Sequence, residues 1–106
     1  MCLQDVHPDG QILNVQEGGA KIYSDASSTP RVQKLDVSVW ATRYELKVGH
    51  KLRVVVASAW FPRFNRNLNS GEPLATAKEM RRAKQTIYFG KPFPSCVTLP
   101  VLHPTS

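Results

Sequence analysis

The sequence predicts an all-β domain of about six short antiparallel strands, spaced as in a β sandwich. The first observation is the apolar–polar alternation of Leu35–Val39, which is typical of a half-buried strand. The second is a similar alternation over Lys51–Ala59, which contains three consecutive valines. The third is the placement of Gly, Pro, Asn and Asp between the apolar runs, where turns are expected.

The two central runs define the predicted core of the domain. Val54 and Val56 share one side of their strand and Val55 takes the other, so we expect the middle of this strand to be covered on both faces. Gly49 adopts positive φ without steric cost, so the chain is expected to reverse there. The run before Gly49 and the run after it then form either an antiparallel hairpin or a crossover between two sheets.

Shorter elements flank this unit. His7-Pro8-Asp9-Gly10 is a turn sequence between two short apolar runs, which predicts a hairpin of Met1–Val6 with Gln11–Val15. Ala20–Ile22 is predicted as a short strand that ends in a loop over Ser24–Pro30.

The second half of the chain is predicted to be less regular. Pro62 ends the second central strand, and an Asn-rich loop with side chain to backbone hydrogen bonds follows over residues 65–71. Residues 74–83 hold at most one short helix, suggested by a possible capping box of Thr76 with Glu79, or else an irregular loop with one helical turn. The last strands are predicted over residues 85–89 and 96–101.

Composition favours a single soluble domain over residues 1–106. The chain is 42% hydrophobic and 21% charged, which is ordinary for a globular protein, and no apolar run approaches the roughly 18 residues of a membrane span. The N-terminal residues lack the basic start and hydrophobic segment of a signal peptide. We therefore expect a cytoplasmic protein, no membrane partner, and reduced thiols at Cys2 and Cys96.

The net charge of +6 raises the question of nucleic-acid binding. No helix-turn-helix pattern, zinc-ligand spacing or RNA-binding aromatic signature accompanies the basic residues. We therefore interpret the charge as a solvated basic surface that favours solubility, and expect no nucleic-acid partner.

The sequence lacks the motifs of the common catalytic and cofactor sites. There is no G-x-S-x-G nucleophile elbow, phosphate loop or G-x-G-x-x-G, so we expect no cofactor and no catalytic residue. His7, His50 and His103 are far apart in sequence and no metal site is predicted. His50 is interpreted as a packed side chain, and Asp5 and Asp9, which flank His7, as turn caps rather than as parts of a site.

The aromatic and arginine residues at positions 60–66 have the residue types of a binding surface. Aromatic rings next to arginines can stack on sugars, bases or a partner protein. The alternative, which we prefer, is that Phe61 and Phe64 fill the core while the arginines pair with carboxylates such as Glu72 or Asp36. The candidate ligand- or partner-binding residues are Trp40, Trp60, Arg63 and Arg66.

Four segments carry a family resemblance. GHKLRVVVASAWFPRFNRNLNSGE, KQTIYF, PSCVTLPV and the earlier DVHPDGQILNVQEGGAKI resemble the C-terminal β domain of the cocaine esterase and X-prolyl dipeptidyl aminopeptidase hydrolases. The resemblance implies a jelly-roll-like, galactose-binding-like β sandwich that packs against an α/β-hydrolase domain. Because that other domain carries catalysis, the roles implied here are structural, for Gly49, His50, Phe61, Pro62, Phe64, Arg66, Asn67, Leu99 and Pro100.

Two departures from the family pattern affect the interpretation. Phe89-Gly90-Lys91-Pro92 replaces a His-Asp-rich stretch, and the chain is expected to lack the opening strands of the sandwich. A partial sandwich exposes an apolar sheet face and unpaired edges, which favour association. We therefore expect a homo-oligomer, most simply a two-fold dimer, or else an α/β-hydrolase partner.

The sequence leaves three functional hypotheses. The first is a non-catalytic β domain that acts by self-association or partner binding. The second is a small carbohydrate- or ligand-binding module, and the third is an enzyme whose site forms between subunits with His7 or His50. The first is preferred.

Overall fold

The computed structural model describes residues 1–23 and 31–103, so the loop predicted over Ser24–Pro30 lies outside the described residues. The chain forms two compact units, Met1–Phe64 and Asn65–Ser106. The first unit contains three β-strands: β1 (Cys2–Val6), β2 (Ile12–Glu17) and β3 (Lys51–Val55). They form one antiparallel sheet in the order β2-β1-β3, with β1 in the centre.

The hairpin of β1 and β2 confirms the turn predicted at Pro8–Gly10. The amide of His7 donates to the carbonyl of Gln11 at 2.8 Å, and the amide of Gly10 donates to the carbonyl of His7 at 3.0 Å. Gly10 has φ 90°, a conformation that residues with a Cβ rarely adopt. The Asp9 carboxylate accepts a hydrogen bond from the Gln11 amide at 2.9 Å, which is the predicted turn-capping role.

A β-bulge interrupts the register between β1 and β2. Leu3 lies opposite Gln16, whereas Gln4 lies opposite Asn14, so Val15 is the additional residue on β2. A bulge bends its strand and increases the local twist.

The two faces of the sheet differ, because one carries mostly apolar side chains and the other mixes polar and apolar ones. Opposed residues on neighbouring strands share a face, so the register sorts their side chains. Gln4 forms the centre of the polar face, where Arg53 donates to its Oε1 at 2.7 Å and its Nε2 donates to Asn14 at 2.7 Å. The other face carries Asp5 together with the apolar side chains of Leu3, Leu13, Leu52 and Val54. Of the described residues, Leu3 is the one buried hydrophobic side chain, at 6% exposure.

The prediction that Leu35–Val39 is a strand, paired with the strand after Gly49 or crossing to a second sheet, is wrong. Lys51–Val55 instead pairs with β1, which offers a complete antiparallel ladder, and residues 35–39 form no strand. Val37 and Val39 are nevertheless half-buried, as the alternation suggests. The segment lies against the end of β2, because a Cβ added at Gly18 would collide with the Ser38 carbonyl oxygen.

The predicted cover on both faces of the second central strand is also absent. Val54 is 37% exposed and Val55 is half-buried. The strand occupies an edge of the sheet rather than its centre, and an edge strand has a neighbour on one side only. The turn at Gly49 is confirmed by its φ of 84° and by the hydrogen bond from the His50 amide to the Lys47 carbonyl, at 3.1 Å.

The count of six strands exceeds the three that the described ranges contain. Residues 20–22, 85–89 and 96–101 have no strand ladder, and Pro92, Pro94 and Pro100 lack the amide hydrogen that a ladder requires. The all-β class is confirmed: residues 1–23 and 31–103 contain no helix, and hence none long and apolar enough to cross a membrane. At residues 74–83 the irregular alternative is observed, since the Thr76 and Ala77 amides both donate to the Pro73 carbonyl in a single turn.

The second unit is built from turns. The predicted Asn-rich loop is confirmed by two side chain to backbone hydrogen bonds: the Asn67 Oδ1 accepts from the Asn69 amide at 2.9 Å, and the Asn69 Nδ2 donates to the Arg81 carbonyl at 3.2 Å. Asn69 has φ 58°, in the left-handed region that asparagine tolerates better than most residues. The rings of Tyr88 and Phe93 pack edge to face, 5.5 Å apart.

Candidate functional site

Asp5, in the middle of the sheet's central strand, forms the centre of the candidate site. Its side chain is 2% exposed, and it is the one buried charged residue in the described part of the chain. Burying a carboxylate is costly unless hydrogen bonds or opposite charges compensate for the lost water. The surroundings of Asp5 provide both.

Three side chains surround this carboxylate. The Tyr44 hydroxyl donates to Oδ2 at 2.6 Å. The His50 Nδ1 lies 2.9 Å from Oδ1 and 3.0 Å from Oδ2, and the His7 Nε2 lies 3.4 Å from Oδ2. The turn-capping role predicted for Asp5 is therefore wrong, because its carboxyl faces the apolar side of the sheet and is held by side chains 39 and 45 residues away.

The sheet register explains how the two imidazoles meet. His7 follows Asp5 by two residues and lies on the same side of the chain as it leaves β1. His50 immediately precedes β3, whose first residue, Lys51, is paired with Val6. The two rings are consequently adjacent, with centroids 4.2 Å apart and planes tilted by 45°.

The contacts shift the acidity of two groups. Burial of Asp5 opposes its ionisation, but the hydrogen bonds from Tyr44 and His50 and the charges of His50 and His7 together outweigh this, so the pKa of Asp5 is lowered. The hydrogen bond to Asp5, then burial and the charge of Asp5, raise the pKa of Tyr44. The stable combination is an ionised Asp5 with a protonated Tyr44.

A small cavity of about 210 Å³ opens beside this cluster. Its polar lining residues are Asp5, His7, His50, Glu45 and Lys47. Its remaining lining residues are Leu13 and Tyr44. Pockets for drug-sized ligands usually occupy about 300–1,000 Å³, so this cavity suits a smaller molecule or ion.

One atom of the cluster has no hydrogen-bond partner. The Nε2 of His7 is buried, and its 3.4 Å approach to Asp5 does not satisfy hydrogen-bond geometry. Buried polar atoms are nearly always paired in native proteins, so an unpaired one calls for an explanation.

The aromatic–arginine cluster predicted from the sequence forms around Glu17. Its Oε1 accepts from Arg63 at 2.9 Å, and its Oε2 accepts from the Trp60 Nε1 at 3.2 Å. Arg63 also lies over the Trp60 ring, 5.1 Å from its centroid, and the Phe64 ring packs 5.3 Å from that of Trp60. The arginine thus pairs with a carboxylate, but with Glu17 rather than Glu72 or Asp36.

Of the other predicted site residues, Trp40 and Phe61 are not in this cluster, whereas Phe64 is. Trp40 is 72% exposed and Phe61 is 74% exposed, so neither fills a core in the described structure. Phe64 is 40% exposed and touches Trp60 at one edge of the first unit. Arg66 belongs to the second unit. The expected core role of Phe61 and Phe64 is therefore wrong, because the described residues provide no second layer to cover them.

The Asp5 cluster was only faintly indicated by sequence patterns. Asp5 and His7 are two residues apart, which places them on one face of a strand. Asp5 also stands two residues after Leu3, where the alternation calls for an apolar side chain. No sequence pattern indicated that Tyr44 would belong to the site. The turn at Gly49 positions His50, yet nothing local indicated that the following strand would pair with β1.

Comparison with known proteins identifies the family. Residues 1–98 match the family described as the X-Pro dipeptidyl-peptidase C-terminal non-catalytic domain. The chain belongs to this family. The predicted resemblance is thereby confirmed.

A curated relative supports the assignment. The chain is 29% identical over 109 residues to the cocaine esterase of Rhodococcus sp. (strain MB1 Bresler), and the match covers 94% of this chain. It covers 19% of the esterase, so the chain spans about a fifth of the length of that relative. No solved structure matches the chain significantly.

Proposed function

We propose that the chain is a non-catalytic accessory β domain that acts by self-association, with two copies covering each other's apolar sheet faces. Membership of a family of non-catalytic hydrolase domains supports the accessory role. The observation that carries the association is a set of partly exposed apolar side chains beside the buried Leu3 and Asp5 on one sheet face: Leu13, Leu52 and Val54 are 41%, 40% and 37% exposed. Exposed apolar side chains grouped on one sheet face are typical of interaction sites.

Burial of the exposed apolar side chains supplies only part of the free energy that a dimer needs. Complete burial of a Leu or Val side chain contributes about 1.5–3 kcal/mol, so covering the exposed parts of these three side chains in two copies contributes on the order of 5 kcal/mol. Association costs about 4 kcal/mol or more in lost translational and rotational freedom. The exposed parts of these side chains therefore leave about 1 kcal/mol at most, which is too little for a measurable dimer, so the proposed dimer also requires contacts at the unpaired edges of β2 and β3.

The dimer would also supply the second layer of a β sandwich. The jelly-roll-like, galactose-binding-like arrangement implied by the family resemblance needs two sheets packed face to face. In this proposal, the second sheet comes from another copy. The alternative is that an α/β-hydrolase partner covers the same face. In that case the purified chain should stay monomeric, whereas self-association should produce a dimer.

Paired substitutions on the two faces of β3 test this proposal. Val54→Lys places a charge on the apolar face, and Arg53→Gln alters the adjacent residue on the polar face as a control. Sedimentation velocity should show at least a tenfold weaker dimer for Val54→Lys and little change for Arg53→Gln. Equal effects of the two substitutions, or a wild-type chain that stays monomeric, would contradict self-association through this face.

Small-ligand binding is a second candidate function, favoured by the cavity of about 210 Å³ at Asp5. The Trp60–Arg63 cluster is a weaker candidate, because Glu17 already occupies both polar groups. A thermal-shift screen of monosaccharides and small anions would support binding at the cavity if a hit were lost in His50→Ala. The non-catalytic role itself predicts no ester hydrolysis above that of a His50→Ala variant.

A further inference from the structure

We propose that Asp5, His7 and His50 form a binding site for a divalent transition-metal ion, with the adjacent cavity providing room for a water or small ligand on the metal. This site lies on the same sheet face as the proposed dimer contact, and Leu13 belongs to both. It combines Asp5 and His7, two residues apart, with His50, which the pairing of β3 with β1 brings beside them.

The donor set suits such an ion. One potential ligand atom from each of the three residues lies within 4.8 Å of the other two. Two imidazole nitrogens and a carboxylate oxygen are typical ligands of Zn²⁺, Co²⁺ or Fe²⁺, whereas Ca²⁺ and Mg²⁺ prefer oxygen ligands throughout. Catalytic zinc sites likewise use three protein ligands and leave one position open.

The distances are close to those of a coordinated ion. With metal–ligand bonds of about 2.0–2.1 Å, the ligand atoms of a tetrahedral site lie about 3.3 Å apart. Here Asp5 Oδ2 lies 3.4 Å from His7 Nε2, and Asp5 Oδ1 lies 2.9 Å from His50 Nδ1. The ligand atoms all lie within 4.8 Å of one another, so a small closure of the cluster would let all three share one ion.

The unpaired nitrogen of His7 provides independent support. Its Nε2 is buried and makes no hydrogen bond, although it points toward the carboxylate. A purely structural cluster explains His50 and Tyr44, which both hydrogen-bond to Asp5, but gives His7 no such role. Coordination of a metal satisfies this atom.

The remaining contacts supply an outer shell. The Tyr44 hydroxyl donates to Asp5 Oδ2 at 2.6 Å, which would orient the carboxylate toward the metal. Groups of this kind around metal ligands hold them in place and increase affinity. The cavity beside the three ligands also includes Glu45 and Lys47, which can orient a molecule bound to the ion.

Titration with Co²⁺ tests the proposal, because its visible absorption reports both stoichiometry and coordination geometry. The purified 106-residue chain should bind one Co²⁺, and Zn²⁺ should displace it while Mg²⁺ and Ca²⁺ should not. His7→Ala should weaken binding at least tenfold without disturbing the hydrogen bonds of Asp5. His7→Gln provides a second variant of similar size if the first proves unstable.

Two controls remove other potential ligands. His103→Ala deletes an exposed imidazole of the second unit, and the double variant Cys2→Ser with Cys96→Ser deletes both thiols. Neither should change the affinity for Co²⁺. Absence of saturable binding, wild-type affinity in both His7 variants, or binding that disappears with the thiols would overturn the proposal.

Discussion

The Nδ1 of His50 lies 2.9 Å from the Oδ1 of Asp5, although 45 residues separate them in the chain. This contact joins the central strand β1 to the beginning of β3 and closes the site. It also links the charge of a buried carboxylate to the stability of the sheet, which makes the contribution measurable as a dependence on pH.

The first prediction concerns acid stability. The pKa of Asp5 in the folded chain lies below its ordinary value of 3.8. Its stabilising contribution is therefore complete above about that pH and is lost as the pH falls through the lowered folded-state pKa. The melting temperature of the wild type should drop steeply below pH 4.

Asp5→Asn is the variant that isolates this effect. It should be less stable than the wild type at pH 7, because the amide cannot supply the negative charge, and its melting temperature should fall less steeply below pH 4. Asp36→Asn changes an exposed residue and should match the wild type. An acid profile of Asp5→Asn parallel to that of the wild type would argue against a charged Asp5.

The second prediction concerns alkaline stability. The pKa of Tyr44 is raised above its ordinary value of 10.0, mainly by its hydrogen bond to Asp5. The contribution of the protonated hydroxyl is complete below pH 10 and is lost as the pH rises through the raised pKa. An ultraviolet titration should show one tyrosine that ionises later than the others.

Tyr44→Phe should remove that late transition and raise the pKa of Asp5, since the carboxylate loses its shortest hydrogen bond. Tyr88→Phe, which alters a tyrosine that packs against Phe93, should leave the late transition in place. Carboxyl chemical shifts followed by NMR would measure the pKa of Asp5. An unchanged pKa in Tyr44→Phe would refute the role assigned to the hydroxyl.

The third prediction concerns Gly19 and the Trp60 ring. A Cβ at position 19 would lie 2.8 Å from Cζ3 of Trp60, which is too close for a real contact. Gly19→Ala should displace the indole, break its hydrogen bond to Glu17 and destabilise the first unit by about 1 kcal/mol, since the ring can move at the surface.

Tryptophan fluorescence and chemical denaturation measure this effect. Gly19→Ala should shift the emission maximum toward that of a solvent-exposed indole. Ala20→Ser, a change at the neighbouring exposed residue, should leave both the emission and the midpoint unaltered. Identical spectra for the wild type and Gly19→Ala would show that the ring does not pack on the glycine.

Local signals in the sequence predicted the turns well. Asp9-Gly10 and Gly49 reverse the chain where expected, because each requires a backbone conformation that few other residues adopt. The alternation at Val37 and Val39 correctly indicated partial burial. Turn chemistry and burial depend on a few neighbouring residues, so they can be read from a short window.

Strand pairing and the site were beyond such signals. β3 pairs with β1, about 50 positions earlier, and both residues 35–39 and β1 had patterns compatible with it. β3 pairs with β1 rather than with residues 35–39 because β1 offers a complete ladder of hydrogen bonds. The Asp5 cluster follows from that choice, since His50 meets Asp5 and His7 only when β3 lies beside β1.

The solution mass of the wild-type chain is the most direct test of the proposed function. Size-exclusion chromatography with light scattering, at two protein concentrations and two salt concentrations, compares the mass with the 11.9 kDa of a single chain. We expect the mass to rise toward twice this value with concentration and to persist at high salt, because the proposed contact is apolar. A mass of one chain under all four conditions would contradict the account.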